Sequence, residues 1–95
     1  MEYQVRFLNE AEKDLENLCK AGINLKPLER YFSRLQNNPY LISKSKKGDL
    51  GDCRAVEWGA GYRLIFKILE NDKIVLILAI DKHDDAYKKA KKRNK

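Results

Sequence analysis

Residues 53–80 read CRAVEWGAGYRLIFKILENDKIVLILAI, and this stretch decides the fold. The pattern has period two. Arg54-Ala55-Val56-Glu57-Trp58 predicts a strand whose alternation puts Arg54, Val56 and Trp58 on one side and Ala55 and Glu57 on the other. Gly59-Ala60-Gly61 supplies a tight turn, Tyr62 to Leu69 a second strand, and Asn71-Asp72 a turn into a third strand, Ile74 to Ile80. The third strand is apolar on both faces, so it belongs inside the sheet.

Upstream, Tyr3, Val5 and Phe7 alternate with Gln4 and Arg6 as a short half-buried strand. Asn9 is a good N-cap residue and Glu12 stands three positions on, as in a capping box. Leu8, Ala11, Leu15, Leu18 and Cys19 then follow at helical spacing, and Gly22 is placed to end that helix. Leu25, Leu28, Phe32 and Leu35 form the stripe of a second helix, with Tyr31 beside it, stopped by Asn37-Asn38-Pro39. The short connection predicts an antiparallel helical hairpin. Residues 40–52 read as a basic loop, a linker or an arm facing a polyanion, and Asp84 to Lys92 as a lysine-rich helical piece. The expectation is one α+β domain over residues 1–95, ordered β-α-α-β-β-β-α, with a mostly antiparallel sheet covered by helices on one side.

The charge is uneven. Lys and Arg number 20 against 14 Asp and Glu; residues 1–43 balance six against six, whereas residues 44–95 carry fourteen bases and eight acids. All the surplus lies in the second half, which suits a basic face aimed at a polyanion or a solvated basic tail. Two cysteines and one histidine cannot build the usual four-ligand zinc site alone, and no metal or other cofactor is expected. Cys19 and Cys53 read as reduced core or boundary residues of a cytoplasmic protein. Met1-Glu2-Tyr3-Gln4 does not open like a signal peptide, and the longest apolar run, seven residues from Ile74, is far short of a membrane span.

Several residues in this order resemble those of the RelE/ParE superfamily of toxins from toxin–antitoxin pairs. The opening strand followed by Ala11-Glu12-Lys13-Asp14-Leu15 and Leu18 resembles the family's first helix. Asn38-Pro39 resembles its helix-ending step and Lys47-Gly48 the basic-Gly step before the sheet. Asp52-Cys53 and Gly61-Tyr62-Arg63-Leu64 are similar to the same pairs in a RelE protein, and Asp85-Ala86-Tyr87 resembles the motif near the family's end. The resemblance is greatest to the RelE branch and spans almost the whole chain. It implies an mRNA interferase that cuts message without a metal, often on the ribosome. It also implies a cognate antitoxin, with operator DNA reached only through the antitoxin complex. ParE toxins share the fold and poison DNA gyrase by binding, which keeps a non-catalytic gyrase inhibitor open. So does the family a degenerate member that only binds its antitoxin.

Metal-free RNA cleavage needs a base for the 2′-hydroxyl, an acid for the leaving 5′ oxygen, and positive charge at the phosphorane. With a single histidine, a two-histidine arrangement is excluded. The resemblance puts Arg63 on the family's phosphate-gripping strand arginine, a role suited to a bidentate, permanently charged group. It puts His83 where RelE has an arginine assisting the leaving group; a histidine there can be a general acid. Tyr87 can stack on a base, share in proton transfer, or anchor the last helix. Where RelE carries two strand lysines this chain has Ala55 and Glu57; Glu57 reads either as the base or as an ion-pair partner of Arg63. Lys44, Lys46, Lys47, Arg54, Lys82 and Lys88, with the rest of the C-terminal run, are candidate phosphate contacts. Trp58 can stack on RNA or pack the sheet.

Overall fold

The computed structural model describes residues 2–40, 43–45 and 52–94, with the backbone alone at Lys44 and Ser45. The elements are β1 (Gln4–Phe7), α1 (Asn9–Lys20), α2 (Lys26–Asn37), β2 (Lys44–Ser45), β3 (Cys53–Trp58), β4 (Tyr62–Leu69), a 3-10 turn (Glu70–Asp72), β5 (Ile74–Lys82) and α3 (His83–Arg93). They form one five-stranded sheet in the order β1-β5-β4-β3-β2. The pairs from β2 to β5 are antiparallel, while β1 lies parallel to β5, Gln4 against Ile74 through Phe7 against Ile77. β5 is interior, as its apolar faces require.

Helix α1 starts one residue earlier than the capping reading has it. Leu8, in extended backbone, is the N-cap, and Asn9 is already helical without a side-chain cap. The other end follows the sequence closely. Gly22, at φ 81°, sends its N–H to the Cys19 carbonyl, and Ile23 N–H reaches the Leu18 carbonyl. These two bonds close the last turn in a Schellman motif that needs a left-handed residue at Gly22. Pro27 at the start of α2 fits the first turn, where its missing N–H costs nothing.

The sheet is covered on both faces, which corrects the expectation of helices on one side. One core joins Ala11, Leu18, Leu28 and Leu35 of the α1–α2 hairpin to Val56, Trp58, Leu64, Phe66, Val75, Ile77 and Ile80. A second joins Ala86 and Ala90 of α3 to Cys53, Ala55, Ile65, Leu78 and Ala79. Apolar residues on both faces of β4 and β5 demand two covers. Two alanines, one turn apart, let the lysine-rich α3 lie close to the strands. Between Phe66 opposite Ile77 and Ile65 opposite Ala79, β5 carries one extra residue, Leu78, as a β-bulge. Leu78 and Ala79 therefore both contribute to the α3 side.

Helix α3 is also held by buried charge. Asp14 of α1, 4% exposed, accepts the Ile80 N–H (3.1 Å), Lys89 Nζ (3.2 Å) and Arg93 Nη1 (2.7 Å). Arg93 Nη1 also donates to the Leu78 carbonyl at 2.9 Å. Leu78 and Ile80 lie past the residues that β1 pairs, so Asp14 and Arg93 satisfy the backbone edge of β5 where β1 has ended. Ala11, Asp14 and Leu18 form the buried stripe of α1, and Cys19 is exposed, contrary to the sequence reading; Cys53 is buried. Burial pushes the Cys53 thiol up to about 11, helped by the neighbouring Asp52 carboxylate.

Candidate active site

The β3–β4 hairpin turns through Gly59 (φ 57°) and Gly61 (φ 85°), a geometry that favours glycine at both positions. It sets Glu57 directly opposite Arg63, and the next ladder sets Arg63 opposite Asp81. A carboxylate, a guanidinium and a second carboxylate thus cross three strands in one row. The chain then enters α3 at His83, whose N–H donates to the Gly61 carbonyl at 3.0 Å, so the start of α3 is tied to the hairpin turn.

Arg63 is the centre of the row. Its Nη1 lies 3.0 Å from Glu57 Oε1; the arginine side chain is 17% exposed and the glutamate 67%. Burial works against the Arg63 charge, but the ion pair with Glu57 and the nearby Tyr87 phenol outweigh it and raise its pKa above the usual value. Tyr87 in turn meets His83 edge to face, ring centroids 4.9 Å apart, because the two are one helical turn apart on α3. His83 is half exposed, with Nε2 3.9 Å from the Asp84 carboxylate. Glu57, Arg63, Tyr87 and His83, four residues that the sequence singled out, therefore come together at one end of the sheet on its α3 face.

The other candidates fall elsewhere. Lys82 is exposed at the end of β5, one residue from Asp81, and Lys88 is exposed on α3. Arg54 is turned to the opposite face with Val56 and Trp58. It is engaged there, donating to Ser43 Oγ (2.7 Å), to the Ser43 carbonyl (3.0 Å) and to the Tyr40 carbonyl (3.2 Å). Its role in the fold is to fasten β3 to the chain leaving α2. Lys46 and Lys47 lie outside the described residues, as does the Lys44 side chain. Trp58 is 2% exposed and stacks on Tyr62 at 4.9 Å, which makes it a core residue. Lys89 and Arg93 of the C-terminal run are committed to Asp14 and Asp81.

Asp81 is the member of the site that sequence reading missed. Burial alone would raise its carboxyl. Lys89 Nζ at 2.6 Å and the Lys82 N–H at 2.8 Å hold it below the usual carboxylate range instead. Its pairing to Arg63 depends on the bulge at Leu78, for which the sequence carries no signal. Among the described residues no three His, Cys, Asp or Glu side chains gather as a metal ion would require.

The family model for the ParE toxin of type II toxin–antitoxin systems (parDE) matches residues 5–87. The chain is a member of the RelE/ParE toxin superfamily. The toxin is 29% identical to the RelE4 toxin of Methanocaldococcus jannaschii over 94% of this chain and 95% of that one. It is 30% identical to toxin RelG of Mycobacterium tuberculosis over 94% and 100%. Its fold is similar to a chain of the toxin–antitoxin complex RelBE2 from M. tuberculosis, with a TM-score of 0.73 and 28% identity, covering 86% of this chain and 99% of that one. The matched residues include the whole row from Glu57 through Arg63 to Asp81, with His83 and Tyr87.

Proposed function

We propose that this toxin is an RNA endonuclease that cleaves messenger RNA, on the ribosome, by attack of a 2′-hydroxyl on the adjacent phosphate. The observation that carries the reading is a guanidinium flanked by a carboxylate and a phenol, with an imidazole on the far side of the phenol. Arg63 grips the scissile phosphate and neutralises the charge that develops on the phosphorane. Glu57 exchanges its ion pair for the 2′-hydroxyl and takes its proton. His83, protonated, hands a proton to the departing 5′ oxygen. The 2′ oxygen–phosphorus bond forms as the phosphorus–5′ oxygen bond breaks, leaving a 2′,3′-cyclic phosphate and a 5′-hydroxyl. Tyr87 holds Arg63 and His83 in place. Lys82 and Lys88, exposed at the same end of β5 and on α3, give the message further phosphate contacts. The toxin's partner in this reading is a cognate antitoxin; the similar RelBE2 chain was solved as a toxin–antitoxin complex.

A second reading, gyrase inhibition without catalysis, draws on the ParE description of the matching family and on Ala55, buried beneath α3 where RelE has a lysine. One experiment separates the two. A message is incubated with ribosomes and wild-type, Arg63→Ala or His83→Ala protein, and the 5′ ends are mapped; supercoiling by DNA gyrase is assayed in parallel. Discrete cuts with 5′-hydroxyl ends, slowed about 100-fold or more in Arg63→Ala, are expected for an electrostatic group of this kind. An intact message with inhibited gyrase would replace the nuclease reading with the gyrase one.

A further inference from the structure

Arg63 has a carboxylate on each flanking strand, Glu57 on β3 and Asp81 on β5. The two differ in freedom. Glu57 is largely exposed and can swing into solvent when a phosphate arrives. Asp81 is 21% exposed and sits on the interior strand, directly opposite Arg63, with no such way out. Opposite side chains on neighbouring strands stand about 5 Å apart at Cβ, so a guanidinium reaches such a carboxylate readily. An acid fixed against Arg63 would occupy the place of the phosphate. Both Asp81 oxygens are instead taken from elsewhere. Oδ1 accepts the Lys82 N–H at 2.8 Å, and Oδ2 accepts Lys89 Nζ at 2.6 Å. Lys89 is pinned in turn by the buried Asp14, whose Oδ1 lies 3.2 Å from the same Nζ. Arg63 meanwhile turns its Nη1 to Glu57.

We propose that Lys89 is a positioning residue: by holding Asp81 away from Arg63, it keeps the guanidinium free to take an RNA phosphate. This role rests on the reading of Arg63 as the phosphate-gripping group. A row of Glu57, Arg63 and Asp81 sets one cation between two anions and repels an incoming phosphate. Lys89 brings the row to balance, and departure of Glu57 then leaves it positive as the phosphate enters. The lysine touches neither phosphate nor reacting hydroxyl; it acts through Asp81. It lies further along α3 than His83 and Tyr87, so one helix delivers the groups around Arg63 and the cation that frees Arg63. Without Lys89, Asp81 turns to the guanidinium opposite it, and a phosphate must displace a partly buried ion pair.

In the full-length toxin the Arg63 Nε–H resonance reports the partner of the guanidinium, and its absence from Arg63→Lys identifies it. The probe is a short single-stranded RNA methylated at every 2′ oxygen, which 2′-hydroxyl attack cannot cut. In the wild type this RNA is expected to move the Arg63 signal saturably. Lys89→Met should move that signal before any RNA is added, as Asp81 takes the guanidinium, and should weaken RNA capture at Arg63 by about tenfold or more. Lys89→Met/Asp81→Asn should restore both, because a neutral amide does not hold the cation. A lysine that only fastened α3 would give no such rescue, since Asp81→Asn returns no contact to the helix. Lys89 is partly exposed, so Lys89→Met keeps the fold, which melting of the same samples checks. The proposal is overturned if Lys89→Met takes RNA at Arg63 as the wild type does, or if the second substitution restores nothing. A wild-type Arg63 signal that RNA leaves unmoved would instead remove the phosphate reading of Arg63 itself, and the role of Lys89 with it.

Discussion

Replacing Asp14 with alanine tests whether buried charge, rather than apolar contact alone, holds α3 on the sheet. Asp14 is 4% exposed and receives the Ile80 N–H, Lys89 and Arg93. Lys89 is 35% exposed and keeps Asp81, so its loss is worth less than about 1 kcal/mol. Arg93 is 15% exposed and, among the described residues, keeps only the Leu78 carbonyl. The Ile80 N–H is left without an acceptor, at about 1–3 kcal/mol. Removing one partner of a buried pair costs about 3–5 kcal/mol in general, and the low end applies because α3 ends nearby and Arg93 can swing to water. The expected loss is about 3 kcal/mol, a fall in Tm of roughly 15 °C for a chain of this size. Asp14→Asn, which keeps an acceptor for Ile80, should lose about half of that. The assay is thermal unfolding followed by circular dichroism, with hydrogen exchange at the α3 amides. Because α3 carries His83 and Tyr87, any cleavage activity should fall in the same variant although Asp14 touches neither. An Asp14→Ala melt within 3 °C of wild type, with α3 amides equally protected, would refute the argument.

Two further outcomes are expected. Asp81 binds its proton more weakly in the folded chain than in the unfolded one. Its contribution to stability is therefore complete above the unfolded carboxylate range, near pH 4, and is lost as pH falls through the lower folded value. The Tm gap between wild type and Asp81→Asn should be constant from pH 5 to 8 and shrink below about pH 4; a gap that widens in acid would reverse the assignment. Cys19 is exposed while burial holds the Cys53 thiol near 11. A chromogenic thiol reagent at pH 8 should therefore titrate one cysteine quickly in native protein and two in denaturant, and two fast thiols in the native state would show that α3 does not seal Cys53.

The strands were legible because a half-buried strand writes its period into the sequence. The same alternation separates Arg54 from Glu57 and puts Glu57 within reach of Arg63. Gly22 and Asn38-Pro39 mark helix ends because the backbone there requires it. What could not be read depends on contacts distant in sequence. Asp14 looks like one more surface acid among Glu10, Glu12 and Glu16, and only the third-dimensional approach of Ile80 and Arg93 buries it. Lys89 and Arg93 look like parts of a solvated tail because their acids lie on other elements. The parallel pairing of β1 with β5 joins residues some 70 positions apart, for which local spacing has no mark. The sequence of helix α3 shows no apolar stripe because its buried residues, Ala86 and Ala90, are small.

The bulge at Leu78 acts on β5 as a frameshift acts on a message. Strict alternation from Val75 and Ile77 would send Asp81 into the core beneath the α1–α2 hairpin, as a bare carboxylate among apolar side chains. One extra residue resets the phase, and Asp81 emerges on the α3 side facing Lys89. Substitutions along β5 change one side chain each. Inserting a residue between Ile77 and Asp81 would exchange the inward and outward sets of everything that follows, breaking the buried core and the charged row together. Variation in this strand is therefore far safer by replacement than by a change in length.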